Sequence, residues 1–561
     1  MKATKKRNLK SVLVTVVILL ILNITGNSFF HRFDLTKDHR YTLSQTSLDI
    51  IKQVEEPLSV KIYMEGDLPA EFKRLQQETR ELLEEFQAYN SNINFEFVNP
   101  LENEEASMDN IKALYMKGLT PVNITVDDKG KQSQAMVFPW AIAVYHNKEV
   151  NIPLLKNIMG ASTTEKVIGS VQHLEYSIAD ALNKVTKEKQ KKIAVIKGNG
   201  EIQDVFIAKF LLQIRESYHI GPFTLDSVAK SPVPTLESLK KYDLAIIAKP
   251  TETFTDAEKQ VLDQYIIHGG KTIWLLDQVA IEMDSLYNDA GAAFAFPRDL
   301  NLNDMFFKYG IRINPDIVKD EQGSPIKLAT GEQGSAAQYQ TFNWKYAPLV
   351  YPESQHPIVK NLGGIKFDFA NPIDTLKNGI KKTVLLKSSQ YSKKVGTPAE
   401  INLNIVTEET SPNHYPNTGN LPMAVLLEGN FHSAFENRVL AFDQSNFEPT
   451  GKTGKMIVIS DGDVIKNQLD KNYEPVELGF DQRSGNVYDN KDFLLNCVNY
   501  LLDDTGLINI RSKDLDLPLL DKEKVYQNYT RTQVLTIGLP ILILGVFGVA
   551  FSFMRKYKYS K

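Results

Sequence analysis

Residues 242–277 decide the fold. They begin Tyr242-Asp243-Leu244-Ala245-Ile246-Ile247-Ala248 and end Lys271-Thr272-Ile273-Trp274-Leu275-Leu276-Asp277. Each end is a short apolar run without polar alternation, the pattern of a strand covered on both faces. Between them Thr255 and Glu258 have capping-box spacing and open a helix that stops at Gly269-Gly270. Strand, helix and strand of this kind make one unit of a parallel sheet. Working outward, Ile193–Lys197 is another short apolar strand, and Gly198-Asn199-Gly200-Glu201 turns it into a helix reaching about Ser217. Met423–Glu428 and Met456–Ser460 resume the same strand type, and Lys491–Asp503 reads as a closing helix. The fold class is therefore α/β, with a doubly wound parallel-sheet domain over 192–505. Residues 310–420, rich in Pro, Gly, Asn and Gln, read as a β-rich insertion carrying strands such as Ile365–Phe369 and Thr383–Leu386.

Upstream, residues 31–160 predict a separate, thioredoxin-like α/β unit. Leu58–Tyr63 alternates like a strand, Pro69–Tyr89 is a charged amphipathic helix, and Ile93–Val98 is a strand ending at Asn99-Pro100. Val122–Val126, a turn at Asp127-Asp128-Lys129-Gly130 and β-rich sequence to Pro153 follow. The redox chemistry of such folds needs a dithiol after the first strand, where this chain has Met64-Glu65-Gly66-Asp67. Residues 161–191 read as a helical connector whose charged end is a solvated face.

Two apolar runs flank this region. One covers 11–30 behind Lys2, Lys5, Lys6, Arg7 and Lys10; the other covers 534–554 ahead of Arg555, Lys556, Lys558 and Lys561. Each has about 20 residues, enough to cross a ~30 Å hydrocarbon core as a helix. The basic flanks place both tails, 1–10 and 555–561, in the cytoplasm, with everything between the spans outside and 506–533 as a linker. A cleaved signal peptide is the competing reading of the first run, although Ile24–Phe30 offers a poor small-residue cleavage site. Gly538, Gly545 and Gly548 give the second run a small-residue face for packing on another membrane helix.

Composition narrows the chemistry. The chain has 561 residues, 24% of them charged, and a formal net charge of −4. This excludes a many-span transporter, and it argues against nucleic acid as a partner because phosphate binding needs a concentrated basic surface. A single cysteine, Cys497, can form neither an internal disulfide nor a thiolate metal cage, and its apolar surroundings read as a buried structural thiol. No Walker A loop, His-Glu-x-x-His spacing or Gly-x-Ser-x-Gly elbow is present, so no nucleotide, metal or other cofactor is expected and no catalytic residue is assigned. Parallel sheets bind ligands at the carboxyl ends of their strands. That rule selects Gly198, Asn199, Gly200 and Glu201, then Asp277, then Asp461, Gly462 and Asp463 as candidate ligand-binding residues. The competing explanation for the same glycines and aspartates is turn chemistry alone.

Several of these segments resemble one family. Arg32-Phe33-Asp34-Leu35-Thr36 with Tyr41-Thr42-Leu43-Ser44, Glu56–Tyr63, Ile193–Glu201, Leu421–Ser433 (containing Glu428-Gly429-Asn430-Phe431), Val458–Asp463 and Asp492–Leu502 are similar to the gliding-motility-associated ABC transporter auxiliary, or "substrate-binding", proteins of Bacteroidota, the GldG family. The resemblance covers nearly the whole chain. It implies an accessory subunit of the inner membrane, with a periplasmic main domain, whose partners are a separate permease and a separate cytoplasmic ATPase. It also implies that the second domain is similar to glutamine-amidotransferase-like folds and to a domain of intraflagellar-transport proteins. Amidotransferases need a cysteine nucleophile at a strand-to-helix elbow, and Cys497 stands on the final helix, so that activity does not carry over. Three functions remain open on the sequence: a non-catalytic interaction subunit binding a protein or exported polymer, a small-ligand (sugar) receptor using the strand-end loops, and a periplasmic hydrolase.

Overall fold

The structure is a computed structural model, described over residues 14–19, 42–102, 104–128, 131–156, 160–330, 338–408, 414–416, 418–512 and 526–559. It divides into two compact units, 1–513 and 514–561. Most of the first expected span, 11–30, lies outside the described residues, as do Arg32–Thr36 and Tyr41.

Within the first unit, strand β1 (Leu58–Ile62), helix α1 (Ala70–Tyr89), strand β2 (Ile93–Phe97) and the hairpin β3 (Trp140–Tyr145) and β4 (Lys148–Pro153) build a four-stranded sheet ordered β2-β1-β3-β4. β1 runs parallel to β2, with Val60 opposite Phe95, and antiparallel to β3, with Val60 opposite Ala143. Helix α1 buries Phe72, Leu75, Leu82, Leu83 and Phe86, a stripe at three- and four-residue spacing. The expected connector is helix α2 (Thr163–Thr186), started by a Ser162/Glu165 capping box. It is no free-standing spacer. Val167, Val171, Leu174, Ile178, Leu182 and Val185 are all buried, because the helix lies on the small sheet, and only its Lys187–Lys191 tail matches a solvated face.

The larger sheet has seven strands: β5 (Lys192–Lys197), β6 (His219–Thr224), β7 (Leu244–Ala248), β8 (Lys271–Leu275), β9 (Lys381–Lys387), β10 (Pro422–His432) and β11 (Thr450–Ile459), in spatial order β9-β10-β11-β8-β7-β5-β6. Neighbours from β6 to β11 are parallel; β10 and β9 add an antiparallel edge. The apolar runs have a direct cause here. Ile193 and Val195 of β5, Leu244 and Ile246 of β7, and Ile273 of β8 face one hydrophobic core. The residues between them (Ala194, Ile196, Ala245, Ile247 and Trp274) face another on the opposite side. Covering helices supply the rest: Phe493, Leu494, Cys497 and Leu501 of α3 (Asn490–Leu502) join the first core, and Val261, Leu262 and Tyr265 of the 256–267 helix join the second. The expected Thr383–Leu386 strand proves to be part of this sheet, within edge strand β9, rather than a piece of a separate insertion. The other elements of 310–420 form small separate sheets, including the long hairpin 323–330/338–350.

Cys497 is fully buried, and burial pushes its thiol well above its ordinary pKa, away from the reactive thiolate. A membrane-permeant thiol reagent is therefore expected to label it slowly until the protein unfolds. Cys497→Ala should lower stability by only about 1–2 kcal/mol, measured by chemical denaturation. Rapid labelling of the native protein would refute the buried assignment.

In the second unit, the span predicted at 534–554 falls within a helix running over Tyr529–Tyr557, 29 residues, the one helix among the described residues long and apolar enough to cross a membrane. A π-helical turn covers Val534–Gly538, just before Pro540, whose missing N–H cannot continue the regular ladder.

Candidate functional site

Because β5, β7, β8 and β11 are parallel neighbours, their carboxyl ends share one edge of the sheet. The loops after them are Gly198–Glu201, Lys249–Glu252, Asp277–Gln278 and Asp461–Asp463. The chain goes from β5 to β6 on one side and then returns to β7 on the other, so the topological switch point lies between the ends of β5 and β7.

That crevice is stitched by backbone. The Asn199 carbonyl accepts from the N–H groups of Thr251 (3.0 Å) and Glu252 (2.9 Å), and Ile202 N–H donates to the Ala248 carbonyl at 3.1 Å. Gly198 and Gly200 take φ values of +122° and +69°, which glycine tolerates best. A Cβ on Gly200 would also run into the Thr251 hydroxyl. The glycines thus allow one loop to close on another. Glu201 Oε2 caps the turn by accepting from Asn199 N–H at 2.8 Å, and Asn199 Nδ2 donates to Glu258 at 3.2 Å. Two buried acceptors, Asn199 Oδ1 and Glu201 Oε1, are left without a partner. Burial, only partly offset by the backbone N–H bonds, raises the Glu201 carboxyl above its usual pKa.

The other two predicted loops meet around a residue that sequence reasoning missed. Lys249 has φ +52°, and its ammonium lies 2.6 Å from Asp463, 2.8 Å from Glu282 and 3.5 Å from Asp277. It is held by charge rather than by aligned N–H···O geometry. Gly462 is what lets the lysine pass, since a Cβ there would sit 2.5 Å from Lys249 Cγ, and its own N–H donates to Asp277 Oδ1 at 2.6 Å. Arg298 stands 3.8 Å from Asp277, and Lys466 lies 3.4 Å from Asp463 and 3.6 Å from Glu282.

Charges in this cluster balance if one carboxyl stays neutral. Asp461 is that group: fully buried, with Asp463, Asp277 and Asp368 nearby, its pKa is raised well above the carboxylate range, chiefly by desolvation and then by those neighbours. Its two oxygens accept from Asp368 N–H at 2.6 Å and Asp463 N–H at 2.7 Å. Desolvation also raises Asp277, whereas at Asp463 it is outweighed by the charges of Lys249 and Lys466, which hold that carboxyl low. Lys249 is held above the ordinary lysine pKa, because its three acidic partners outweigh its burial. Asp277, Glu282 and Asp463 offer oxygens within 4.8 Å of one another, the spacing of a cation site. The Lys249 ammonium lies within ion-pair distance of all three and supplies the positive charge there itself.

The predicted residues therefore fall into two groups on one edge, Gly198–Glu201 closed onto Thr251–Glu252 and Asp277/Asp461–Asp463 closed onto Lys249. A positional signal for Lys249 exists in the sequence, since it directly follows an apolar strand just as Gly198 and Asp277 do. Glu282, Arg298 and Lys466 carry no such signal. Gly538, Gly545 and Gly548 all lie on the C-terminal helix, the last two with open space where a Cβ would be.

A family model described as an ABC-type uncharacterized transport system, the ABC transport auxiliary family, matches residues 190–497. The chain belongs to this family. A second model, a domain of unknown function (DUF7088), matches residues 37–144. An uncharacterized protein of Borreliella burgdorferi is 21% identical over 559 residues, 97% of each chain. Among solved structures, the mmIFT52 N-terminal domain aligns at 15% identity over 58% of this chain and 100% of that one, with a TM-score of 0.30, too loose to carry an argument. As an ABC transport auxiliary protein, the chain has an accessory role in an ABC transport system.

Proposed function

We propose that this auxiliary protein is a non-catalytic subunit of an inner-membrane ABC transporter complex associated with gliding motility. Both termini are cytoplasmic, and a periplasmic domain binds another protein or an exported polymer. In this reading the small sheet is thioredoxin-like and the seven-stranded domain amidotransferase-like. The carrying observation is the closure of the strand-end edge. Lys249 is committed to three carboxylates and the Asn199 carbonyl to two amides, which favours a closed, internally neutralised edge over an open substrate cradle. Co-purification from native membranes with mass spectrometry tests it: a permease and a cytoplasmic ATPase are expected, and recovery of neither would reject the subunit assignment. A reporter phosphatase fused after Lys561 should be inactive, and activity there would reject cytoplasmic termini.

One observation favours a second reading, a receptor for a small hydroxyl-bearing ligand such as a sugar. Buried acceptors without donors are costly, and Asn199 Oδ1 and Glu201 Oε1 are two such atoms in one loop. A sugar-dependent melting shift that Glu201→Gln abolishes would support it; the absence of any shift across a sugar panel would remove it.

A further inference from the structure

Away from the strand ends, Arg511 is only 4% exposed, yet its Nε and Nη2 have no hydrogen-bond partner. The rest of the residue is tightly held. Nη1 donates to Asn496 Oδ1 at 2.7 Å, the guanidinium carbon lies 5.1 Å from the centroid of the Tyr176 ring, and the backbone carbonyl accepts from Asn361 Nδ2 at 3.2 Å. The unused edge is the one on which an Nε–H and an Nη–H point the same way, the geometry that receives two oxygens of a single oxyanion. Leaving such donors unmade in a low-dielectric site is strongly unfavourable. The surrounding fold nevertheless fixes the guanidinium in that pose.

A second buried cation belongs to the same group. Lys156, with its side chain 7% exposed, donates to the Asn361 carbonyl and lies 3.9 Å from Asp489. Its pKa is lowered by burial and then by the Arg511 charge. The opposing acid, Asp489, is weakened by its surroundings. Asp489 accepts from Gly363 N–H at 2.6 Å, and its carboxyl is pushed up to about 6, first by burial and then by Asp492. His173, its ring 5.0 Å from that of Tyr176, is kept well below its ordinary pKa by burial and then by Arg511 and Lys156, so it stays neutral. These groups come from α2, from the segment after β4, from the 361–363 loop, from the start and middle of α3 and from the 507–512 turn, where the two sheet domains meet.

We propose that Arg511 and Lys156 form a buried oxyanion site that takes a phosphate group, either inorganic or carried on a small phosphomonoester. The fork alone would satisfy both oxygens of a carboxylate. A phosphate carries more negative charge than a carboxylate, and the Lys156 ammonium, close enough to feel the Arg511 charge, favours it on that ground.

The test uses the full chain in detergent, with thermal unfolding and calorimetric titration against inorganic phosphate, glycerol phosphate and acetate at matched ionic strength. A saturable rise in Tm with a phosphate probe, and none with acetate, is expected. Tighter binding of glycerol phosphate would assign a phosphomonoester, and tighter binding of inorganic phosphate would assign the free ion. Arg511→Lys keeps the charge but removes the fork, and should weaken binding by about tenfold or more. Lys156→Gln provides an independent second variant with the same expected direction. No saturable response to either phosphate probe, or a response undiminished in both variants, overturns the site.

Discussion

Lys249→Met is expected to destabilise the full chain by about 3–5 kcal/mol near pH 7.5, because removing one partner strands the others as buried, uncompensated charge. The methionine roughly preserves side-chain volume, so the loss reports on charge rather than on a cavity. The variant should also recover on acidification. Asp277 and Asp461 already have raised pKa values in the folded protein, and without the ammonium Asp463 should join them. A carboxyl whose folded pKa lies above its unfolded one gains folding free energy as pH falls through the folded value. Wild-type Asp463 has the opposite sign: its stabilisation is present above the unfolded pKa and is lost as pH falls through the depressed folded value. The gap between variant and wild type should therefore narrow between about pH 7.5 and pH 5. Chemical denaturation at several pH values checks both parts. A loss below about 1 kcal/mol, or a gap that widens in acid, would show that the lysine is peripheral to the fold.

The parallel sheet was readable from sequence because its strands are covered on both faces, so burial is written continuously into Leu244–Ala248 and Lys271–Leu275. The Thr255/Glu258 capping box was equally legible, as both of its hydrogen bonds are local. Edge strand β9 was legible as a strand but not as part of this sheet, because its Pro-, Gly- and Asn-rich surroundings resemble an insertion and its partner β10 lies across a long intervening stretch of chain. The site shows the same division. The strand-end rule placed Gly198–Glu201, Asp277 and Asp461–Asp463 on one edge. It could not show that Lys249 would bring Asp277, Glu282 and Asp463 within a few ångströms of one nitrogen. That geometry depends on β11 pairing next to β8, a long-range event with no local signature. The glycines were legible as special but not in purpose: Gly462 makes room for a lysine and Gly200 for a threonine.

The C-terminal helix carries the sharpest consequence of the accessory-subunit proposal. An anchor needs only hydrophobicity and length, whereas docking against another membrane helix needs close approach at small residues. Gly545 and Gly548 are three apart on one helical face, and nothing lies within 4 Å of where their Cβ atoms would be. The neighbouring Leu544, Val546, Phe547 and Val549 are all exposed, so an apolar surface surrounds the small pair. Replacing both glycines with leucine keeps the segment apolar and membrane-inserted while filling that face. The double variant should reach normal membrane levels, yet lose about tenfold or more of its co-purification with the permease, the scale of one to two kcal/mol of helix packing. Single Gly→Ala changes, which add far less bulk, should lose much less. Wild-type recovery of the permease by the double-leucine variant would make this helix a passive anchor, and docking would then have to come from the first apolar run or from the large domain.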